Sequence, residues 1–179
     1  PLKLHVLVIN VDAVATDRGY DVIERLLRSH DALLAIDEST SIKNPSSRRT
    51  KALTKLGKLS RYRRILTGTP VANRPIDVYA QFRFLDEWCL GVPSFISFRN
   101  RYAVTATRYI NGRKFEEIIG WQRLEELQQR IAQHSFRVLK KDCLDLPEKV
   151  YQKRHVELSP EQAKYYRELR DEALTFIAN

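Results

Sequence analysis

Residues 32–38 have the sequence ALLAIDE, and residues 64–70 have the sequence RILTGTP. Each contains a short apolar run, which predicts a strand, and each ends in polar residues. Residues 21–28 and 46–59 carry apolar side chains at helical spacing, and residues 5–10, HVLVIN, predict a further buried parallel strand. The order is therefore strand, helix, strand, helix, strand, which predicts an α/β fold with a parallel sheet and flanking helices.

Polar residues follow two successive strands of this predicted sheet. Asp37 and Glu38 come directly after one strand, and Thr67, Gly68 and Thr69 come after the next. Ligands of α/β sheets bind beyond the carboxyl ends of the strands. One carboxylate there can hold Mg²⁺ and an adjacent one can deprotonate an attacking water, as phosphoryl transfer requires. Each turn alone is compatible with an ordinary surface turn, but the two together favour a nucleotide site.

Beyond Pro75 the alternation stops, and the sequence predicts a mostly helical region that contains a β-hairpin. Ser159 and Gln162 then predict a capping box at the start of a last helix, with Pro160 at its first position. The predicted elements are helices over residues 76–85, 95–102 and 121–134, a hairpin over residues 107–119 with its turn at Asn111 and Gly112, and a strand over residues 136–141. Trp88 and Trp121 are expected to pack in the core or in this region, with stacking on bases as the alternative.

Basic residues form two candidate patches for contact with nucleic acid. The chain has 31 Lys and Arg against 22 Asp and Glu, a net charge of +9, which favours an acidic substrate or a polyanion as partner. The first patch is a stripe on the predicted helix 46–59, and the second lies in the predicted hairpin, where basic and aromatic residues alternate. A solvated surface is the alternative for both. The helix stripe comprises Arg48, Lys51, Lys55 and Lys58, and the hairpin patch comprises Arg108, Arg113 and Lys114.

Cysteine and histidine usage argues against two classes of protein. Cys89 and Cys143 lie far apart and the four histidines are scattered, so neither a Cys/His zinc site nor a disulfide scaffold is expected. The sequence has neither a run of about 20 apolar residues nor a secretory leader at residue 1, so we expect no membrane span and no secretion. A reducing compartment, cytoplasmic or, in a eukaryote, nuclear, fits this composition.

The order of motifs along the chain resembles the Swi/Snf-type ATPases of helicase superfamily two. The sequence DEST at residues 37–40 resembles motif II of that family, and LTGTP at residues 66–70, with Asn73, resembles motif III. Residues 9–12, INVD, resemble the end of motif Ib, with Asn10 where the family often has Thr. Two later segments are similar to the family's Arg-x-x-Lys-x-Asp…Leu-Pro-x-Lys stretch and its Leu-Ser-x-x-Gln…Tyr helix: residues 136–149 and residues 158–166.

This resemblance implies a partial RecA-like sheet and an ATP-driven activity. Residues 1–75 would be the C-terminal part of RecA-like lobe one, residues 76–135 a helical protrusion with the hairpin, and residues 136–179 a return segment and a helix leading to lobe two. The implied function is an ATP-dependent, helicase-like translocase that moves on nucleic acid, with duplex DNA as the expected form. ATP and Mg²⁺ would be its cofactors, and the second RecA-like lobe of the same polypeptide its partner.

The resemblance also implies roles for single residues. Asp37 would hold Mg²⁺, Glu38 would activate water, and Asn10 would contact nucleic acid. The hairpin patch is slightly favoured over the helix stripe, because protrusions of this family lie beside the DNA groove. The residues that would bind the nucleotide are Asp37, Thr67, Gly68 and Thr69.

Three departures from the family keep a second hypothesis open. Thr40 replaces the histidine of motif II, and Val138 replaces the second arginine of an Arg-Arg pair. Gly57-Lys58 is followed by Leu59, so the chain contains no Gly-x-x-x-x-Gly-Lys-Ser/Thr phosphate loop. In the family that loop precedes motif Ib, and lobe two follows the last helix, so we expect the isolated chain to be inactive. The alternative is a non-catalytic module that binds nucleic acid or docks a protein and has a degenerate nucleotide site.

Overall fold

The computed structural model describes residues 4–71, 74–143, 147 and 150–178. These residues form two compact units that divide between residues 137 and 138. The first unit contains a small parallel sheet, five α-helices and an antiparallel hairpin in its described part. The second contains a short helix and a long one.

The sheet of the first unit confirms the predicted α/β arrangement. Strands β1 (Leu33–Ile36) and β2 (Tyr62–Ile65) pair in parallel and in register, residue for residue, from Leu33 with Tyr62 to Ile36 with Ile65. Helix α1 (Asp17–Ser29) precedes β1, and helix α2 (Arg48–Leu59) makes the crossover to β2. The side chain of Thr16 caps α1 by accepting a hydrogen bond from Gly19 N. Sequence periodicity was therefore sufficient to find these four elements.

The prediction of a buried strand over residues 5–10 is wrong. This segment has no regular secondary structure, and its apolar side chains are exposed. A strand requires a neighbour that accepts its backbone hydrogen bonds, and within the described residues the parallel sheet contains β1 and β2 alone. The same lack of neighbours leaves Leu33 of β1 57% exposed, whereas Ile36 is buried.

A first hydrophobic cluster joins α1 and α2 to the sheet and to helix α3 (Val78–Leu85). Close helix packing explains why Gly57 lies inside α2: a Cβ at this position would lie 3.0 Å from the ring of Phe84. Gly57-Lys58 is thus part of a packed helix and not of a phosphate-binding loop. The buried members of the cluster are Val14, Ile23, Leu27, Ile36, Ile42, Leu53, Leu56 and Phe84.

A second hydrophobic cluster lies where α3 meets helices α4 (Phe95–Tyr102) and α5 (Leu124–Gln133). Aromatic rings make up much of this cluster, and the ring centroids of Tyr79 and Phe98 lie 5.2 Å apart. Trp121 packs against this cluster as expected. The same expectation for Trp88 is wrong, because its side chain is 64% exposed.

The predicted hairpin is present and is longer than predicted. Strands β3 (Ala103–Ile110) and β4 (Arg113–Trp121) pair antiparallel around the turn at Asn111 and Gly112. Both turn residues have positive φ, +49° and +75°, as a two-residue hairpin turn of this sequence requires.

The second unit begins with the short helix α6 (Lys140–Cys143) and ends with α7 (Pro160–Ala178). The predicted capping box is confirmed, since Ser159 N donates to Gln162 Oε1 at 3.1 Å and Gln162 N donates to Ser159 Oγ at 3.3 Å. A strand over residues 136–141 was wrongly predicted: no strand pairs with this segment in the described part, and its last residues start α6. Residues 144–146 and 148–149, which include three of the four residues of Leu-Pro-x-Lys, lie outside the described residues, as does Asn73. In the part of the chain described, no helix is both long and apolar enough to cross a bilayer.

Candidate functional site

The carboxyl ends of β1 and β2 bring the two predicted turns together. We refer to residues 37–39 as the Asp-Glu turn and to residues 66–70 as the Thr-Gly-Thr turn. Leu66 N donates to Ile36 O at 2.9 Å, and Ser39 N donates to Leu66 O at 3.0 Å. Because these bonds continue the pairing beyond the strands, the first residues of the two turns are held side by side.

The Asp-Glu turn presents both carboxylates to solvent. Asp37 and Glu38 are exposed, and Glu38 N donates to Asp37 Oδ1 at 2.9 Å. Glu38 has the left-handed backbone conformation, φ +47° and ψ +59°. Non-glycine residues adopt this conformation at a cost of roughly 1 kcal/mol or more, and such residues cluster at functional sites. The surrounding bonds therefore hold Glu38 in a strained position next to Asp37.

The Thr-Gly-Thr turn is stabilised internally. Thr69 N donates to Thr67 Oγ1 at 3.2 Å. The space beside Gly68 is open, because a Cβ at this position would meet no atom within 4 Å. Thr40, which replaces the family's histidine, makes no hydrogen bond to Thr67 or Thr69 in the described structure. The two turns are instead joined through a residue that the sequence analysis did not single out.

Gln81 on α3 makes that connection. Ser39 Oγ donates to Gln81 Oε1 at 2.7 Å, and Gln81 Nε2 donates to Pro70 O and to Asp77 O, both at 2.8 Å. Ser39 and Gln81 are completely buried. The signal in the sequence is a glutamine within an otherwise apolar stretch, VYAQF, where a buried amide needs partners for all its polar atoms.

The donor set of these turns fits a magnesium ion with a bound nucleotide. Mg²⁺ is commonly held by one or two carboxylates, with phosphate oxygens and waters as its other ligands. Asp37 and Glu38 supply exposed carboxylate oxygens, and Thr67 and Thr69 supply hydroxyls at the adjacent turn. Among the described residues no group of three or more His, Cys, Asp or Glu side chains forms a metal cage.

The helix stripe is exposed along α2, as predicted, but its four cations are not equivalent. Lys58 Nζ lies 2.6 Å from Glu87 Oε1, whereas Arg48, Lys51 and Lys55 have no ion pair with any described acidic residue. These three form the free part of the stripe.

Asn10 is linked to the start of α2 through Asp12. Its side chain accepts a hydrogen bond from Asp12 N at 2.8 Å, and Asp12 Oδ1 in turn pairs with Arg49 Nη1 at 2.6 Å. Asn10 is exposed and ends an irregular segment, not the strand that was predicted there.

The hairpin patch also contains both paired and free cations. Arg108 Nε lies 2.8 Å from Glu117 Oε2 across the two strands. Arg113 and Lys114 directly follow the turn and have no ion pair within the described residues, and Tyr109, which is paired with Lys114, is 71% exposed. The free basic part of the hairpin is therefore its tip.

Other basic residues near the hairpin stabilise the packing of α4 against α5. Arg101 and Arg130 both bind Glu126 Oε1, at 2.8 Å, and Tyr102 Oη donates to the same atom at 3.1 Å. Desolvation raises the pKa of Glu126, but the hydrogen bonds from the two arginines and the tyrosine together lower it to about 2. Glu126 thus remains ionised and joins α4 to α5.

Comparisons with known proteins agree with the resemblance to the family. A family model described as SNF2-related domain matches residues 3–179. YwqA of Bacillus subtilis, which is named for an ATP-dependent helicase/translocase activity, is 32% identical over 165 residues, 89% of this chain and 16% of its own length. The TATA-binding protein-associated factor MOT1 of Saccharomyces cerevisiae is 33% identical over 132 residues, 73% of this chain and 7% of its own. An uncharacterised ATP-dependent helicase of Mycoplasma pneumoniae is 29% identical over 177 residues, 98% of this chain and 15% of its own. The chain therefore spans less than a fifth of each of these relatives, and no solved structure matches it.

Proposed function

The chain belongs to the SNF2-related domain family, and on that premise we propose that it is part of an ATP-driven translocase of the Swi/Snf type. Its first unit supplies the later part of RecA-like lobe one, with the Asp-Glu turn as motif II and the Thr-Gly-Thr turn as motif III. Nucleic acid, as duplex DNA, is the track on which the protein moves.

The observation that carries this proposal is the meeting of the two turns at one edge of the parallel sheet. Hydrogen bonds at 2.9 and 3.0 Å hold them together, and Glu38 is kept beside Asp37 in a left-handed conformation. A water molecule at Glu38 can lose a proton to its carboxylate as the water attacks a phosphorus atom. Asp37, with one oxygen engaged by Glu38 N, keeps a fixed orientation.

Asp37 would hold Mg²⁺, which when bound would neutralise negative charge that develops on the phosphate oxygens. Thr67 and Thr69 would sense the nucleotide through their hydroxyls, with the exposed Gly68 allowing the phosphates to approach the backbone.

Two exposed groups of free cations support a contact with a nucleic-acid backbone. The free part of the helix stripe offers three charges and the hairpin tip offers two, in a protein with net charge +9. Backbone phosphates bind such charges without regard to base sequence. We therefore propose weak, salt-sensitive and sequence-independent binding of DNA, with Asn10 near the start of the helix stripe.

Turnover requires parts that the sequence of this chain does not contain. ATP hydrolysis in P-loop enzymes uses a phosphate loop, which is absent from these 179 residues, and an arginine supplied to the phosphates. We propose that a longer protein containing this chain provides both, the arginine from a second RecA-like lobe.

ATP hydrolysis by that longer protein tests the proposal. Glu38→Gln should lower turnover by roughly 10²–10⁴-fold, the contribution of a positioned base, while ATP binding is retained. Asp37→Ala should weaken the binding of Mg²⁺ and ATP. A second Asp-Glu pair, Asp86-Glu87, provides a matched control: Glu87 is exposed on the surface at the end of α3, so Glu87→Gln should leave turnover unchanged.

Near-normal hydrolysis by Glu38→Gln would show that the Asp-Glu turn is not a catalytic site. The non-catalytic module would then be the better description, provided that the longer protein still binds nucleic acid.

A further inference from the structure

A fully buried pair of polar side chains lies directly behind the candidate catalytic turn. Ser39 follows Glu38 in the chain, and its hydroxyl donates to Gln81 Oε1 at 2.7 Å. Both residues have no exposed surface. A buried hydrogen bond between neutral side chains stabilises a fold only modestly, whereas a buried polar group left without a partner costs more free energy. The pair therefore favours the one arrangement of the Asp-Glu turn and α3 in which both side chains are hydrogen-bonded.

The amide of Gln81 binds both candidate turns at once. Its oxygen accepts from the Asp-Glu turn, and its nitrogen donates to Pro70 O at the end of the Thr-Gly-Thr turn, at 2.8 Å. The second amide hydrogen is used by Asp77 O, also at 2.8 Å. Because all three bonds come from one planar group, a shift of either turn by 1 Å breaks at least one of them.

The helix that carries Gln81, α3, is packed against a hydrophobic cluster on each of two sides. Val78 and Phe82 of α3 are buried in the second hydrophobic cluster, and Phe84 is buried in the first. Their exposed fractions are 2% or less. The amide is thus presented to the two turns from a support that packing holds in place.

We propose that Gln81 is a positioning residue for ATP hydrolysis, and that it aligns Glu38 and the Thr-Gly-Thr turn through Ser39 and Pro70. This inference rests on the proposed function. Gln81 is fully buried and acts through Ser39 and Pro70, so it determines where the reacting groups are positioned. Misplacement of a catalytic group by about 1 Å costs up to about 10²-fold in rate. Loss of Gln81 therefore lowers kcat by a larger factor than it raises KM for ATP.

The test uses steady-state ATP hydrolysis by the longer protein that contains this chain. Gln81→Met keeps the length of the side chain and removes its hydrogen bonds. We expect kcat to fall by about 10-fold or more, within the range for a misplaced catalytic group, with KM for ATP changed less than about threefold. A kcat within twofold of the wild-type value would overturn the inference.

Thr50→Val is the matched control for a general loss of buried polar contacts. Thr50 is buried and donates to Ile42 O at 3.1 Å, at the far end of the 3₁₀ segment that begins at Ser39, and among the described residues it makes no hydrogen bond to the Thr-Gly-Thr turn. Its kcat should remain close to wild type even where the melting temperature falls. An equal loss of kcat in this control would mean that instability, and not positioning, explains the Gln81 result.

The double variant Ser39→Ala/Gln81→Met separates stability from alignment. It removes the donor that Gln81→Met leaves unpaired, so it should recover part of the melting temperature lost by the single variant. Its kcat should stay as low as that of the single variant. Recovery of kcat together with stability would overturn the inference.

Glu38→Gln, assayed in parallel, separates the two proposals. If Glu38→Gln abolishes turnover while Gln81→Met retains it, the positioning role alone is wrong. If Glu38→Gln retains turnover, the proposed function fails and the positioning role fails with it.

Discussion

Neutralising the free cations of the two basic patches should change the salt dependence of DNA binding in proportion to their number. The first variant is Arg48→Gln/Lys51→Gln/Lys55→Gln, and the second is Arg113→Gln/Lys114→Gln. Glutamine preserves helix propensity on α2, so the change is mainly one of charge. If each free cation contacts one phosphate, the slope of log K against log salt flattens by about 2.7 for the triple variant and about 1.8 for the double variant.

These slopes translate into affinities that can be measured. Raising salt from about 50 to about 200 mM should weaken the wild-type chain about 40-fold more than the triple variant, and about 12-fold more than the double variant. Fluorescence anisotropy with a duplex of arbitrary sequence provides the measurement. The affinity of each variant should converge with that of the wild type at high salt, because the release of condensed counterions from DNA then no longer favours binding.

The ion-paired members of each patch are the matched controls. Lys58 pairs with Glu87 and Arg108 pairs with Glu117, so Lys58→Gln and Arg108→Gln should change the slope by clearly less than one unit. Equal effects of paired and free cations would mean that only the overall field of the protein matters. Unchanged slopes in both multiple variants would refute the assignment of DNA contacts to these surfaces.

The isolated 179-residue chain should not hydrolyse ATP, because it has no phosphate loop; turnover above that of its own Glu38→Gln variant would contradict this. Glu126→Gln should lower stability in urea at neutral pH. The carboxylate has a pKa of about 2 in the folded protein, below its ordinary 4.5, so its contribution is complete above pH 4.5, and the wild-type advantage should disappear as the pH falls towards 2. Gly57→Val should destabilise by about 1–3 kcal/mol in thermal unfolding, although valine is a better helix former, because the added atoms meet the buried ring of Phe84; a gain in stability would show that Phe84 can move.

Local patterns in the sequence were sufficient for much of the fold. Helices α1 and α2 were predicted from apolar spacing, the hairpin from Asn111-Gly112, and the cap of α7 from Ser159 and Gln162. In each case the deciding interactions join residues only a few positions apart, so a short window contains them. Segments 5–10 and 136–141 were wrongly predicted as strands, because an apolar run does not indicate whether a partner strand exists.

The sequence alone determined the candidate chemistry: carboxylates at 37 and 38, hydroxyls at 67 and 69, and an excess of positive charge. Only the tertiary structure decided which of these groups meet. Residues 39 and 81 are 42 positions apart, and their hydrogen bond exists because β1 pairs with β2 and α3 packs behind both turns. The division of each basic patch into paired and free cations likewise depends on contacts such as Lys58 with Glu87. Sequence spacing specifies which neighbours share a helix face or a turn, whereas the partner of a buried amide or a surface charge depends on the packing of distant segments.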